Sequence, residues 1–194
     1  MEYELEIEYR NQLLTRVRNG ERITPEERLW LVTHRAYNQI LGYPYLNTDI
    51  IDLQTDKECT VYVKIESISY ADRIIPVIGV PGGKGKIISE NMVTDYKGNA
   101  QYKKPVKMLG LLLNMQHKKT QFLYQSGLGL LGISYECDYI DKKQNIRMRQ
   151  NSSTGATNLA MLCERISTNQ MLYRCKNPNN SSFDSLVFSV RWEL

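Results

Sequence analysis

With 194 residues, 42% of them apolar, and 25 basic against 21 acidic side chains, the chain has an ordinary globular composition and is long enough to bury a core without staples. The six-residue run Met108-Leu109-Gly110-Leu111-Leu112-Leu113 falls far short of the ~20 residues of a membrane-spanning helix, so no membrane partner is expected. The acidic start, Met1-Glu2-Tyr3-Glu4-Leu5-Glu6-Ile7-Glu8, lacks the basic and apolar regions of a signal peptide and points to the cytoplasm.

Residues 4–19 read as a helix, because Leu5, Tyr9, Leu13 and Val17 recur at four-residue steps and Asn19-Gly20 supplies a stop. A strand is the competing reading, since Tyr3, Leu5, Ile7 and Tyr9 alternate with glutamates, but residues 10–18 break that alternation. Thr24-Pro25-Glu26-Glu27 is a capping box with proline at the first helical position. It predicts a second helix running to Leu41 and ending at Gly42, with Leu29, Val32, Ala36, Tyr37 and Ile40 on its apolar face and His34 packed on a flank. Together these helices make a hairpin over residues 1–42 that would pack on a sheet or cap it.

From residue 43 turn signals recur about every ten residues, as in an all-β domain over 43–194. Tyr43-Pro44-Tyr45-Leu46-Asn47 reads as a turn or linker. Strands are expected over 60–69, over 74–80 with Pro76 marking an edge or bulge, and over 86–93, with a turn at 95–99. The stretch 106–149 carries the densest apolar segments and is read as the heart of the core. Residues 156–166 fit strand and helix almost equally and are assigned to strand. Leu186, Phe188, Val190 and Trp192 alternate as a half-buried strand must, with residues 171–176 as the hairpin partner. The sum is a mainly β chain: an antiparallel β-sandwich, jelly-roll-like, preceded by two helices.

Cys59, Cys137, Cys163 and Cys175 form no Cys-x-x-Cys, and with two histidines, His34 and His117, a zinc site would need distant parts; free thiols are the preferred reading. Gly127-x-Gly129-x-x-Gly132 matches the dinucleotide fingerprint in letters, but an alternating strand pattern follows it where a phosphate-binding helix is required. Around Gly82-Gly83-Lys84-Gly85-Lys86 a phosphate loop fails at Val80 and Ile87. No cofactor and no metal is expected.

Two clusters remain. Glu136 and Asp138, with Arg147 and Arg149, suit either a magnesium-dependent nuclease or cross-strand ion pairs. Pairing Tyr139 with Ile146 would set Asp138 against Arg147 and Glu136 against Arg149, and the ion-pair reading is preferred. The second cluster is basic: residues 97–194 carry 14 basic against 6 acidic side chains, while residues 1–96 carry 11 against 15. Lys84, Lys86, Lys103, Lys104, Lys107, Lys118, Lys119, Lys142 and Lys143 fall at turns and would form a contact rim, with Tyr96 and Tyr102 able to stack on bases.

The functional expectation is a non-enzymatic binding or accessory protein with a protein partner, contacted through loops and this basic rim. Nucleic-acid binding through the basic half is the alternative, followed by carbohydrate or small-ligand binding and by a metal-dependent nuclease.

Overall fold

The computed structural model describes residues 2–38, 40–69, 73–83, 85–88, 93–94, 100–101, 107–111, 118–141, 144–154 and 158–194. Helices α1 (Glu2–Arg18) and α2 (Pro25–Thr33) come first. The strands are β1 (Ala36–Asn38), β2 (Gly42–Asp52), β3 (Cys59–Ile68), β4 (Ile74–Gly79), β5 (Gly85–Ile88), β6 (Val93–Thr94), β7 (Ala100–Gln101), β8 (Met108–Gly110), β9 (Lys119–Ser126), β10 (Leu130–Asp141), β11 (Ile146–Asn151), β12 (Ala160–Ser167), β13 (Gln170–Lys176) and β14 (Leu186–Glu193). The turn expected over 95–99 lies outside the described residues, although β6 and β7 on either side of it pair antiparallel.

The chain is mainly β, and its principal sheet is antiparallel and nearly closed, so the sandwich expectation is corrected to a barrel-like architecture. One hydrogen-bonded path runs β5-β9-β3-β14-β13-β12-β2-β10-β4-β8, with β1 added to β2 and β11 to β10. Strand β2 is the reason two facing sheets do not form. Its Leu46 pairs with Met161 of β12, while Asp52 to Asp49 pair with Leu130 to Ile133 of β10. A single extended segment thus belongs to both sides. Near the seam the Tyr124 hydroxyl of β9 lies 2.6 Å from the Leu130 carbonyl and 3.1 Å from that of Gly79 on β4, tying the two ends of the path together.

Inward-facing side chains fill the interior. Phe122, Tyr124, Tyr135, Tyr173 and Phe188 are the largest of the fully buried groups, packed with Leu131, Ile133, Leu186, Val190 and Trp192. The alternation read in residues 186–192 is therefore the core face of β14, and residues 171–176 pair with it in the expected hairpin. On the other face Val187 and Ser189 are buried too, because β14 lies centrally between β3 and β13. The segment at 156–166, assigned to strand, is strand β12 from Ala160 onward. Pro76 sits inside β4 without breaking the ladder to β10. Its carbonyl accepts from the Leu111 amide, and a strand residue's N–H and C=O share one edge, so the missing N–H also faces away from β10.

Helix α1 ends as its sequence implies, with Asn19 and Gly20 amides closing onto Thr15 and Val17 and Gly20 at φ 92°. Its buried stripe is Arg10, Leu13 and Val17, whereas Leu5 and Tyr9, expected on that face, are exposed. Leu13 joins Leu31 of α2, Ile50 of β2 and Leu130 of β10 in a small second apolar cluster, each such burial contributing about 2 kcal/mol. Arg16 bonds Glu27, Glu21 and the Arg22 carbonyl, fastening the end of α1 to the start of α2. The capping box forms as read, Glu27 accepting from the Thr24 amide (2.8 Å) and Thr24 from the Glu27 amide (3.2 Å).

The second helix does not reach Leu41. It stops at Thr33, whose hydroxyl bonds back to the Leu29 and Trp30 carbonyls, and His34 leaves helical geometry at φ −90°, ψ 82°. The physical reason lies downstream. Asn38 is buried and its side-chain amide donates to Asn47 and the Leu159 carbonyl while its oxygen accepts from the Ile40 and Leu41 amides. Those bonds require β1 to zip onto β2, and the segment read as a linker, 43–47, is itself part of β2. Leu29 and Ile40, predicted on the helix's apolar face, are consequently exposed.

Candidate functional site

Two strands of the sheet place Glu136, Asp138, Arg147 and Arg149 on one outer face. Along β10, Ile133, Tyr135 and Cys137 point into the core, which leaves Ser134, Glu136 and Asp138 on the opposite side. Strand β11 pairs with β10 as Tyr139↔Met148, Asp138↔Arg149 and Glu136↔Asn151. This corrects the expected register by two residues. A two-residue slip keeps every side chain on its face but changes its partner.

The result is an uneven set of ion pairs. Asp138 accepts from Arg149 through Nε (2.8 Å) and Nη2 (3.4 Å), and from Arg147 Nη2 diagonally at 3.2 Å. Glu136 fares worse: its Oε1 lies 3.6 Å from Arg149 Nε and 4.0 Å from Arg73 Nη1, and it has no hydrogen-bond donor. Both carboxylates are nearly sealed from water, Glu136 at 6% exposure and Asp138 at 5%. Burial raises the Glu136 carboxyl above its ordinary range, the charges of Arg149 and Arg73 offsetting only part of that. For Asp138 burial pushes upward as well, but the Arg149 hydrogen bond and the surrounding guanidinium charges outweigh it, and its carboxyl is lowered.

Arg73 was not singled out from the sequence. It stands opposite Asp138 immediately before β4, the Asp138 amide donating to its carbonyl at 2.7 Å, so a row Arg73, Asp138, Arg149 runs from the head of β4 across β10 to β11. Nothing local in the sequence announces this, because β4 and β10 are more than fifty residues apart. Arg73, Arg147, Arg149 and Met148 line a shallow surface pocket around Asp138. Three guanidinium groups around two carboxylates leave an excess of positive charge, and the guanidiniums occupy the flanks on which a divalent cation would approach. Among the described residues no group of three His, Cys, Asp or Glu could hold a metal ion.

Among the described residues β11 is paired along one edge, to β10. The Tyr135 amide donates toward Ser152, on the β11 side, and the Asp138 amide toward β4. Odd-numbered backbone groups of β10 therefore face β11, which sets Ile146, Met148 and Gln150 inward and turns the N–H and C=O of Arg147 and Arg149 outward. Among the described residues no strand pairs with that outward-facing edge.

The lysines divide between two places. Lys118 and Lys119 lie at the start of β9, Lys119 opposite Lys64 and Lys118 near Glu66. Lys86, opposite Gln125, and Lys107, which bonds the Gly85 carbonyl, lie against the end of β9, about 20 Å along the strand. Lys86 is 3.9 Å from Glu58. Lys84, Lys103, Lys104, Lys142 and Lys143, with Tyr96, Tyr102 and His117, lie outside the described residues.

His34 is exposed and stacked on Trp30 at 4.4 Å. The four cysteines are free. Burial pushes the Cys59 and Cys163 thiols up to about 11, so neither is a thiolate at neutral pH. Cys163 belongs to a polar cluster also missed in the sequence: Tyr173 donates to buried Asp49 at 2.9 Å, and Arg35 touches both Asp49 and Cys163. The Gly127–Gly132 run forms the β9–β10 turn and enters a strand.

A different surface feature lies at the β1–β2 corner. Tyr37 and Tyr43 meet edge-on at 5.4 Å, and Tyr45 stacks on Phe183 at 4.9 Å. Tyr43 is 79% exposed and Ile40 57%. No protein-family model, no curated protein and no solved structure matches this chain.

Proposed function

We propose that the chain is a non-enzymatic binding protein whose contacts are made with another protein. The observation that carries this reading is the β1–β2 corner, where Tyr37, Tyr43 and Tyr45, paired with one another or with Phe183, and exposed Ile40 come from the two strands and the turn between them. Tyr43 is exposed and Tyr37, Tyr45 and Phe183 half-buried, and surface aromatic rings held by neighbouring rings are what interface centres are made of, since they bury large area at small entropic cost. The arginine-rich face of β10 and β11 supports the same reading, its carboxylates being engaged by guanidinium groups within the fold.

The test is affinity purification of the tagged chain from its native cells, with and without nuclease, beside a Tyr43→Ser/Ile40→Ser variant. A stoichiometric protein that survives nuclease and is lost from the variant is the expected result. Recovery of nucleic acid alone, or a partner indifferent to the double substitution, overturns the reading.

A further inference from the structure

We infer that the outward-facing edge of β11 is a docking site for an extended acidic segment of another protein, which adds as an antiparallel strand with carboxylates at alternate positions. The inference rests on the reading that this chain makes protein contacts, and specifies the partner's chemistry at a place apart from the β1–β2 corner.

Three observations converge. Strand β11 is hydrogen-bonded along one edge, and the outward N–H and C=O groups of Arg147 and Arg149 form a short template for another strand. Every ladder in this sheet is antiparallel, so an added strand continues the pattern with the same twist. The residues whose backbone faces outward also carry their side chains on the Asp138 face, where Arg147 is 71% exposed and Arg149 46%. An incoming residue paired with Arg149 extends the row Arg73, Asp138, Arg149 by one place, and charge alternation along that row asks for a carboxylate there. Its neighbour two residues away meets Arg147 in the same manner.

A second copy of the same edge does not satisfy these terms. Two β11 strands of sequence Ile146-Arg147-Met148-Arg149 would bring like charges together across the new ladder, which is destabilising. The edge therefore disfavours self-pairing while accepting an acidic strand.

The probe is a blocked synthetic peptide alternating glutamate and valine, titrated against the full chain by fluorescence anisotropy at moderate salt. Two N-methylated versions accompany it. Methylation at the glutamates removes the amides that face β11, whereas methylation at the valines removes those that face solvent. Binding of the parent and valine-methylated peptides, abolished by glutamate methylation and weakened about tenfold or more by Arg147→Glu, is the expected pattern. Arg147 is chosen because it is the most exposed of the three arginines, and folding of the variant is verified by circular dichroism. Absence of parent binding, equal binding of both methylated peptides, or indifference to Arg147→Glu overturns the inference. So does an oligothymidine of equal charge that binds as tightly and competes, since the surface would then be reading phosphates. The Tyr43→Ser/Ile40→Ser variant is expected to bind the peptide like the parent chain, so loss of its cellular partner with peptide binding intact separates the two readings.

Discussion

Asp138→Asn and Glu136→Gln change two carboxylates two residues apart on one strand face, and the geometry assigns them opposite effects on stability. Asp138 receives three guanidinium hydrogen bonds. Charge-assisted bonds exceed neutral ones by about 1 kcal/mol each, and solvent around the half-exposed arginines reduces the total, so Asn at this position costs about 1–2 kcal/mol. Glu136 has the burial without the bonds: Oε1 has no donor, and Asp138 beside it repels its charge. Removing that charge costs nothing and gains up to about 1 kcal/mol. For a chain of this length about 2–4 °C accompanies each kcal/mol, so calorimetry at pH 7 reads a fall of about 2–8 °C for Asp138→Asn and none for Glu136→Gln. The pH dependence carries the sign. A lowered carboxyl stabilises the fold above its unfolded value, and that contribution is lost as pH falls through the folded one; the penalty of Asp138→Asn therefore shrinks in acid. A raised carboxyl binds its proton more tightly folded than unfolded, so stability declines as pH climbs from the ordinary glutamate range toward the folded value, and the benefit of Glu136→Gln grows over the same span. Equal losses for both variants at pH 7, or a Glu136→Gln effect that ignores pH, would refute the reasoning.

Replacing Thr24 with Ala removes the capping hydroxyl of α2 and is expected to cost about 1 kcal/mol, read as a lower urea midpoint with unchanged slope. Tyr135→Phe strips the hydroxyl that lies 2.6 Å from the Lys176 carbonyl and 3.0 Å from that of buried Ala160, at a cost of about 1–3 kcal/mol; Tyr62→Phe, whose hydroxyl bonds Glu193 at the surface, is expected to stay within about 0.5 kcal/mol. Gly82→Ala would set a methyl 2.2 Å from Val17 Cγ1 at a φ of 65°, so α1 is expected to loosen first, seen as faster amide exchange over residues 2–18 while the β14 amides stay protected.

Elements whose pattern is decided by their own residues were readable without the structure. The Thr24 box, the Asn19-Gly20 stop and the alternation of β14 are local signals, and each marks a real boundary or face. The end of α2 is not of that kind. Val32, Ala36, Tyr37 and Ile40 continue a helical period beyond Thr33, yet Asn38 finds hydrogen-bond partners that include residues 47 and 159 only when β1 pairs with β2. A buried amide left without them would cost more than the few tenths of a kcal/mol per residue by which helix propensity speaks. Closure of the sheet escaped for a related reason. It depends on β2 serving two neighbours at once, and the residues that do so, Leu46 on one side and Asp49 to Asp52 on the other, have no pattern of their own to distinguish them from a strand of a sandwich.

The charged face of β10 and β11 illustrates where such reading stops. Alternation assigns Glu136, Asp138, Arg147 and Arg149 to one side under any even register, so the membership of the cluster was legible while its pairing was not. The register that would have matched each acid with one arginine leaves six residues in the hairpin loop; the observed one, Asp141↔Ile146, leaves four and adds a further hydrogen-bonded pair at the loop. That extra ladder closure moves Arg149 from Glu136 to Asp138 and Arg147 past Asp138 to Ile140, from where it reaches back diagonally, and leaves Glu136 with only oblique contact. The imbalance between the two carboxylates is thus set by backbone closure at the turn, and side-chain charge follows it. A hairpin shifted back by two residues would equalise the acids, and the opposite responses expected of Asp138→Asn and Glu136→Gln would vanish with it.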